Sequence, residues 1–466
     1  MQPATIATIA KGLRGSLSKE ARIMTATEDA DSPAFQASLS RWTYINKQTP
    51  SAIIQPACEA DVELIVSMIK EKIPFVVKSG GNSPWSTIDS SGLIIDLSLM
   101  NNFTVDMARE TATIQPGVLS KDINWMVGER GYCIQTPTSA LVSCVGFLLG
   151  GGSSFLNGLY GMAVDSLVSA RVVTTKGTVV CSEKENQDLF WAIKGAGQFF
   201  GVVTKIKMRI YPLKDEEGPL SWTLIFPSAK IKEIAAVLEE VSKGEQVIRS
   251  PGMAMILAFP GQDKPVIMVN LTHFRPEEEA EKIMAPLLAL GPVQQIKKVI
   301  PWANMTDSSD MLAGHGGFKT LHSCGMKEFD GKKFETILEL WEKIDKEIPG
   351  AKGCVFLMNW FSLDAMKKKG PESSAWSHRD IGLWNMHLIN AQDKASHDAA
   401  IALSKENFEF CQEDLPESER SLFPNHWRGD DVVERRFRGE GILKKLRELK
   451  ALWDPEGVFT NQFLLR

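Results

Sequence analysis

Two glycine-rich segments constrain this chain more than any other feature. Ser79-Gly80-Gly81-Asn82-Ser83 follows a strand-like run, Phe75-Val76-Val77-Lys78, and six further glycines fall at 146, 150, 151, 152, 158 and 161. Glycine has no Cβ, so backbone amides in such turns can converge on a phosphate. Taken alone, the first cluster is a weak signal, and a tight structural turn explains it better. The second fits neither G-x-G-x-x-G in a βαβ unit nor G-x-x-x-x-G-K-[ST], which disfavours a Rossmann or P-loop nucleotide site. Two separated loops of this kind are compatible with an extended dinucleotide held by backbone. Residues 141–164 are apolar enough to catch a hydropathy window, yet each glycine costs a helix about 1 kcal/mol relative to alanine. We read the stretch as a binding loop and not as a membrane span.

At 466 residues the chain has length for two or three domains. A net charge of −5, without a long block of one sign, argues against nucleic acid as a partner. Cysteines at 58, 133, 144, 181, 324, 354 and 411 include no C-x-x-C pair, which points to reduced thiols instead of a zinc ribbon or a thioredoxin-like site. The scattered histidines give no metal-ligand spacing, so no metal centre is expected, and no G-x-S-x-G elbow marks a hydrolase. The N-terminus, MQPATIATIAKGLRGS, lacks a basic n-region followed by an apolar h-region; an intracellular, cytoplasmic location is expected.

From Pro50 short strands alternate with helices: 52–55, a helix from Cys58 through about Lys72, then 75–78, 93–97 and 111–115 as strands. A helix follows around 119–129, then the glycine-rich segment, a hairpin of 168–174 and 178–181, a short helix at 188–194 and a strand at 202–210. Asp215-Glu216-Glu217-Gly218-Pro219 reads as a charged linker. Beyond it, strands at 221–226, 253–259, 265–274, 353–361 and 382–390 alternate with amphipathic helices, one carrying Phe334, Ile337, Leu338, Trp341 and Ile348 on a single face. This is α+β texture, with one antiparallel sheet covered by helices on one side. A last helix near 440–452 stops at Trp453-Asp454-Pro455-Glu456-Gly457.

The ordered series V-V-K-S-G-G-N-S, G-L-I-I-D-L-S, I-Q-P-G, V-G-F-L-L-G-G-G, G-L-Y-G-M-A-V-D and D-L-F-W-A-I-K-G-A-G-Q-F-F-G-V-V-T, with a closing L-W-D-P-E-G-V-F, resembles one family. It is the FAD-linked oxidases of the vanillyl-alcohol oxidase superfamily, in their berberine bridge enzyme-like branch. The likeness covers about 50–212 and 420–466. It implies a two-lobed, PCMH-type FAD-binding domain split in sequence (1–212 and 420–466) around an α+β substrate domain (213–419) whose antiparallel sheet covers the flavin. It also implies that FAD is held by Ser79, Gly80, Gly81, Asn82, Ser83, Thr138, Ser139, Val145, Gly146, Gly150, Gly151, Val202, Val203 and Asn425.

The departures from the family pattern carry as much as the matches. Members usually show S-G-G-H-S, whose histidine bonds to the flavin 8α-methyl; here the position is Asn82, whose amide forms no such link. Many members place a second anchor, a cysteine, eleven residues before the G-G-G, and counting back from Gly150 gives Ser139. Cys144 is out of register and reads as buried packing. The resemblance therefore implies non-covalent FAD. Where members commonly show Y-x-N-Y, this chain has Phe423-Pro424-Asn425-His426. An imidazole titrates near 6.5 against about 10 for a phenol, which makes His426 the first candidate for general acid or base. Strand alternation at 383–390 puts Asn385 and His387 on one face and Trp384, Met386 and Leu388 on the other, so His387 is the second candidate if its face is the one toward the flavin. Asn359 is a weaker inward candidate, His378-Arg379 resembles an H-R element of fungal relatives or a structural ion pair, and Gly314-His315-Gly316-Gly317 reads as a flexible loop.

The expected activity is oxidation of a small, largely apolar secondary-metabolite intermediate, with hydride passing to flavin N5 and O2 as acceptor. The alternative is a non-redox isomerase or cyclase, such as a Diels–Alderase, in which FAD is structural.

Overall fold

The computed structural model describes residues 2–69, 73–213, 218–262, 264–274, 276–307, 314–426 and 432–459. Residues 70–72 of the expected first helix, Asp215, Glu216 and Glu217 of the expected linker, and residues 460–466 lie outside them.

The first layer is a four-stranded sheet of β1 (Arg22–Thr25), β2 (Ala52–Gln55), β3 (Phe75–Lys78) and β4 (Leu93–Asp96), in the order β1-β2-β4-β3. β2, β4 and β3 run parallel, and parallel neighbours need a crossover. The helix Glu59–Ile69 supplies it: Val62, Ile65, Val66 and Ile69 recur at helical spacing and are all buried against the strands. Asp61 fixes its start by accepting from the backbone N–H of Ala57 at 2.9 Å and of Ser18 at 2.7 Å. The first glycine cluster leaves the carboxyl end of β3, where open parallel sheets present ligand sites.

The second layer contains β5 (Phe103–Asp106), β6 (Thr111–Ile114), β7 (Tyr132–Cys133), β8 (Leu167–Thr174), β9 (Gly177–Ser182), β10 (Val202–Arg209) and β11 (Tyr211–Pro212). Five of these form an antiparallel sheet in the order β5-β6-β10-β8-β9, while β7 pairs with β11. Between β7 and β8 the chain makes a short helix, Cys144–Leu149, and then the irregular glycine-rich stretch.

The third layer is a seven-stranded sheet, antiparallel throughout: β12 (Leu220–Pro227), β13 (Gly252–Leu257), β14 (Val266–His273), β15 (Gln294–Val299), β16 (Phe318–Met326), β17 (Val355–Trp360) and β18 (Leu383–Ala391). Its order is β15-β12-β14-β13-β17-β18-β16. Helices Ile231–Val241, Glu277–Ala289, Gly331–Glu347 and Lys394–Cys411 cover one face and close an apolar core against Phe226, Ile256, Val269, Phe356 and Trp360. The other face looks toward the second layer, and Trp384, Met386, Leu321 and Leu357 join the core built around the glycine-rich stretch.

After the sheet, the helix Ile442–Trp453 leads back to the first layer. Asp454, 2 % exposed, pairs with Lys450 at 2.6 Å and accepts the backbone N–H of Val458 and Phe459, each at 2.9 Å. That turn delivers the Phe459 ring to Phe75 of β3, edge to face at 5.9 Å.

Candidate active site

The 79–83 loop is held from outside by residues the sequence did not single out. The Arg41 guanidinium donates to the carbonyls of Ser83 and Ser86, and Gly81 O accepts from Trp42 N at 3.1 Å. Burial lowers the Arg41 pKa to about 10, so it is still charged at neutral pH. Below the loop, Lys78 and Asp96 form a buried pair at 3.2 Å. Gly81 takes φ +74°, a conformation that glycine adopts without a Cβ penalty. With its carbonyls engaged in this way, the amides of Gly80, Gly81, Asn82 and Ser83 donate no hydrogen bond among the described residues. The Asn82 side-chain oxygen, Oδ1, is buried and also lacks a partner among the described residues. Buried polar groups are normally paired, so this cluster has the hydrogen-bonding capacity that a bound polar ligand would use.

The second glycine segment meets the first. A Cβ at Gly80 would lie 3.1 Å from Ser143 N and 3.3 Å from Leu141 O. Ser139 is half-buried and its carbonyl accepts from Ser120; Thr138 and Gly146 are exposed beside it. Val145 is buried in the core, as are Val202 and Val203, whose side chains enter separate apolar clusters. These three valines leave only backbone for any ligand.

The C-terminal return closes the loop from the other side. Asn425 Nδ2 donates to Phe147 O at 2.7 Å, and its Oδ1 accepts from Gly152 N at 3.2 Å. Glycine is required at 150 and 151 by close approach: a Cβ would come within 2.5 Å of Asn425 and 2.1 Å of Trp376 respectively. Trp376 is carried by a segment anchored through a buried, two-pronged ion pair, Arg379 to Asp165 at 2.8 and 3.0 Å.

His426 sits one residue on, half-buried, on the side of β16 that faces the loops. Ser323 Oγ and His426 Nδ1 are 2.9 Å apart, and the Phe423 ring is 5.1 Å from the imidazole. Arg436 holds the turn by donating to the carbonyls of Phe423 (2.5 Å) and His426 (2.9 Å). His426 Nε2 has no partner among the described residues. Burial, with Arg436 adding a like charge, pushes the His426 pKa down to about 3. That shift runs against the expected titration near neutrality and favours the neutral ring.

His387 lies elsewhere. Its face of β18 is the helix-covered one, where it stacks on Phe356 at 4.1 Å and meets Ser404 Oγ at 2.5 Å. Ser404 in turn is 2.7 Å from His322 Nε2. Fully buried, with its pKa pushed down to about 3, His387 is a core residue, and the expectation that it meets substrate is corrected. Alternation alone cannot say which face of a strand buried on both sides looks at the site. Asn385 follows His387 into that core, and Asn359, paired with Trp384, is on the site-facing side. His378 is also buried, bonding Arg436 O at 2.9 Å. The 314–317 loop is tied down: Gly316 N donates to Arg41 O at 2.9 Å and Gly317 O accepts from Tyr44 N at 2.8 Å.

Cys144, the one thiol near the expected anchor, is fully buried against Met208 with its pKa pushed up to about 12. That is an inert thiol. Among the described residues no cluster of histidine, cysteine and carboxylates is arranged to hold a metal, and no helix is long and apolar enough to cross a membrane.

Two glycine loops held face to face, with unengaged amides and a long antiparallel sheet beside them, make a site with the hydrogen-bonding capacity for an extended dinucleotide. Residues 50–182 match the FAD binding domain family model. FAD-linked oxidoreductase hasG of Aspergillus fumigatus is 32% identical over 448 residues, covering 91% of this chain and 93% of the relative. FAD-linked oxidoreductase OXR1 of Pyricularia oryzae is 29% identical, covering 91% and 86%. Among solved structures, glucooligosaccharide oxidase from Acremonium strictum superposes with a TM-score of 0.83 at 18% identity, over 99% of this chain and 98% of that one. A chitooligosaccharide oxidase gives 0.82 at 20%, with the same coverage. The chain belongs to the FAD-linked oxidoreductases.

Proposed function

We propose that the chain holds FAD without a covalent bond and oxidises a small, largely apolar secondary-metabolite intermediate, with O2 as electron acceptor. The observation that carries this reading is the meeting of Gly80 with Leu141 and Ser143, next to unengaged amides and an orphaned Asn82 oxygen. Non-covalent binding is supported by chemistry at the anchor positions. The A. strictum oxidase is described with a 6-S-cysteinyl, 8α-N1-histidyl FAD, whereas Asn82 and Ser139 stand where the family pattern places a histidine and a cysteine.

In this reading the amides of 80–83 and the 147–152 backbone, braced by Asn425, would hold the FAD. Bound FAD would supply a hydride acceptor at N5 and pass the electrons on to dioxygen. The protein's contribution is position and proton handling. His426 presents Nε2 to the substrate while Ser323 fixes its rotamer and tautomer. Held neutral, the imidazole can orient a substrate oxygen or nitrogen by a hydrogen bond and accept the proton that the substrate loses along with its hydride. Phe423 and the apolar side chains of β18 exclude water. The names of the relatives weigh against a non-redox isomerase or cyclase.

Reoxidation tests the acceptor. The purified protein is reduced under argon by light and EDTA, and air is then admitted while the flavin band is followed. Recovery within seconds with stoichiometric peroxide supports an oxidase; a flavin that stays reduced for many minutes overturns O2 as the acceptor.

A further inference from the structure

Directly opposed residues of antiparallel strands share a face, so the register of the large sheet reads as rows across it. On the site-facing side one row runs Ser323, Met386, Leu357, Met255, Met268. It begins at the partner of His426 and continues as an apolar lane that becomes half-exposed from Leu357 outward. The adjacent row runs Trp384, Asn359, Met253, Asn270. The two asparagines differ. Asn270 donates to Thr223 Oγ1 at 2.9 Å and Ser221 Oγ at 3.3 Å, so its amide is engaged within the sheet. The Asn359 side-chain amide makes no hydrogen bond among the described residues, although it is half-buried between Trp384 and Met253.

We propose that Asn359 is the specificity-determining polar contact of the substrate floor, selecting an apolar, flat molecule that carries one adjacent donor–acceptor pair, as in a lactam. This rests on the flavin-oxidoreductase reading above. A carboxamide offers one donor edge and one acceptor edge, which match the C=O and N–H of a cis-amide with two hydrogen bonds. Thioethers conform to irregular flat bodies and make favourable contacts with aromatic edges, so the methionine lane takes the ring system without dictating its outline. Strand spacing puts Asn359 on the order of 10 Å from Ser323 across the floor. A two- or three-ring body therefore reaches from Asn359 to His426. A site built to hydrogen-bond a group discriminates strongly against the analogue lacking it, because its own amide is then left unpaired.

Equilibrium dialysis of the flavin-loaded protein against 2-quinolone and naphthalene tests this, with flavin content measured on the same samples. The wild type is expected to bind 2-quinolone at least fivefold more tightly than naphthalene. Asn359→Leu should erase that preference while leaving naphthalene binding within twofold, and the isosteric Asn359→Asp should weaken 2-quinolone alone. Met255→Ala should weaken both probes. A preference that survives in both Asn359 variants overturns the proposal. Equal binding of the probes by wild type, or failure of both to bind flavin-loaded protein, overturns it as well. Protein purified without flavin contradicts the parent reading and this one with it.

Discussion

Gly150 and Asn425 fit together so closely that a Cβ on the glycine would lie 2.5 Å from the asparagine amide nitrogen. The backbone of Gly150 is ordinary, φ −99°, so the glycine is required by space and not by conformation. Residues far apart in sequence thus form one wall of the site. Gly150→Ala should displace Asn425, break its bonds to Phe147 and Gly152, and cost about 1–3 kcal/mol as an overpacked core does. Thermal unfolding should show the loss, and FAD retention on gel filtration should fall at least tenfold.

His426→Ala should lower kcat at least tenfold. Ser323→Ala should lower it less, with little change in KM, because it frees the ring without removing it. With the His426 pKa near 3, the wild-type kcat profile should show no ionisation between pH 6 and 7 assignable to this residue. A limb near 6.5 that disappears in His426→Gln would contradict the neutral-imidazole assignment.

Stability in acid follows from the buried histidines. His378 and His387 are each depressed to about 3 by burial. The unfolded chain binds their protons near 6.5, so their contribution is complete above that pH and is lost as pH falls toward 3. Each contributes a slope of about 1.4 kcal/mol per pH unit in that window, roughly 3 for the two together. His387→Phe keeps the stack on Phe356, and Ser404 retains His322. Its acid-unfolding midpoint should move to lower pH, with stability at pH 8 nearly unchanged.

Arg379 and Asp165 are each about 4 % exposed at the side chain. Arg379→Met leaves the buried Asp165 carboxylate without its cation, holding only the Met162 backbone N–H among the described residues, and should cost about 3–5 kcal/mol. Adding Asp165→Asn should recover much of that loss in urea melts. Equal instability of the single and double variants would contradict the pair's role in seating Trp376.

Much of this architecture was legible in the residues. Val62, Ile65, Val66 and Ile69 announced their helix by period, and the hairpin of β8 and β9 by its Lys176-Gly177 turn. β15 was missed because Gln-Gln-Ile-Lys-Lys-Val is an exposed edge whose lysines guard against pairing, so it lacks a buried face. β16 was missed because its alternation is blurred: Lys319 is buried beneath Trp42 and His322 enters the core. At the site, the glycine loops and Asn425 could be placed from the ordered motifs. Arg41, Ser323 and Trp376 could not, since each acts on a segment remote in sequence and carries no local signature. The face of β18 depended on which side the helices cover, a fact of topology that no period within nine residues contains.

The central claim is a flavin site closed by two glycine loops and Asn425 with no covalent anchor. Acid precipitation of the purified yellow protein tests it most directly. All flavin absorbance should appear in the supernatant with the spectrum of free FAD, leaving a colourless pellet. Colour retained in the pellet would contradict the roles assigned to Asn82 and Ser139.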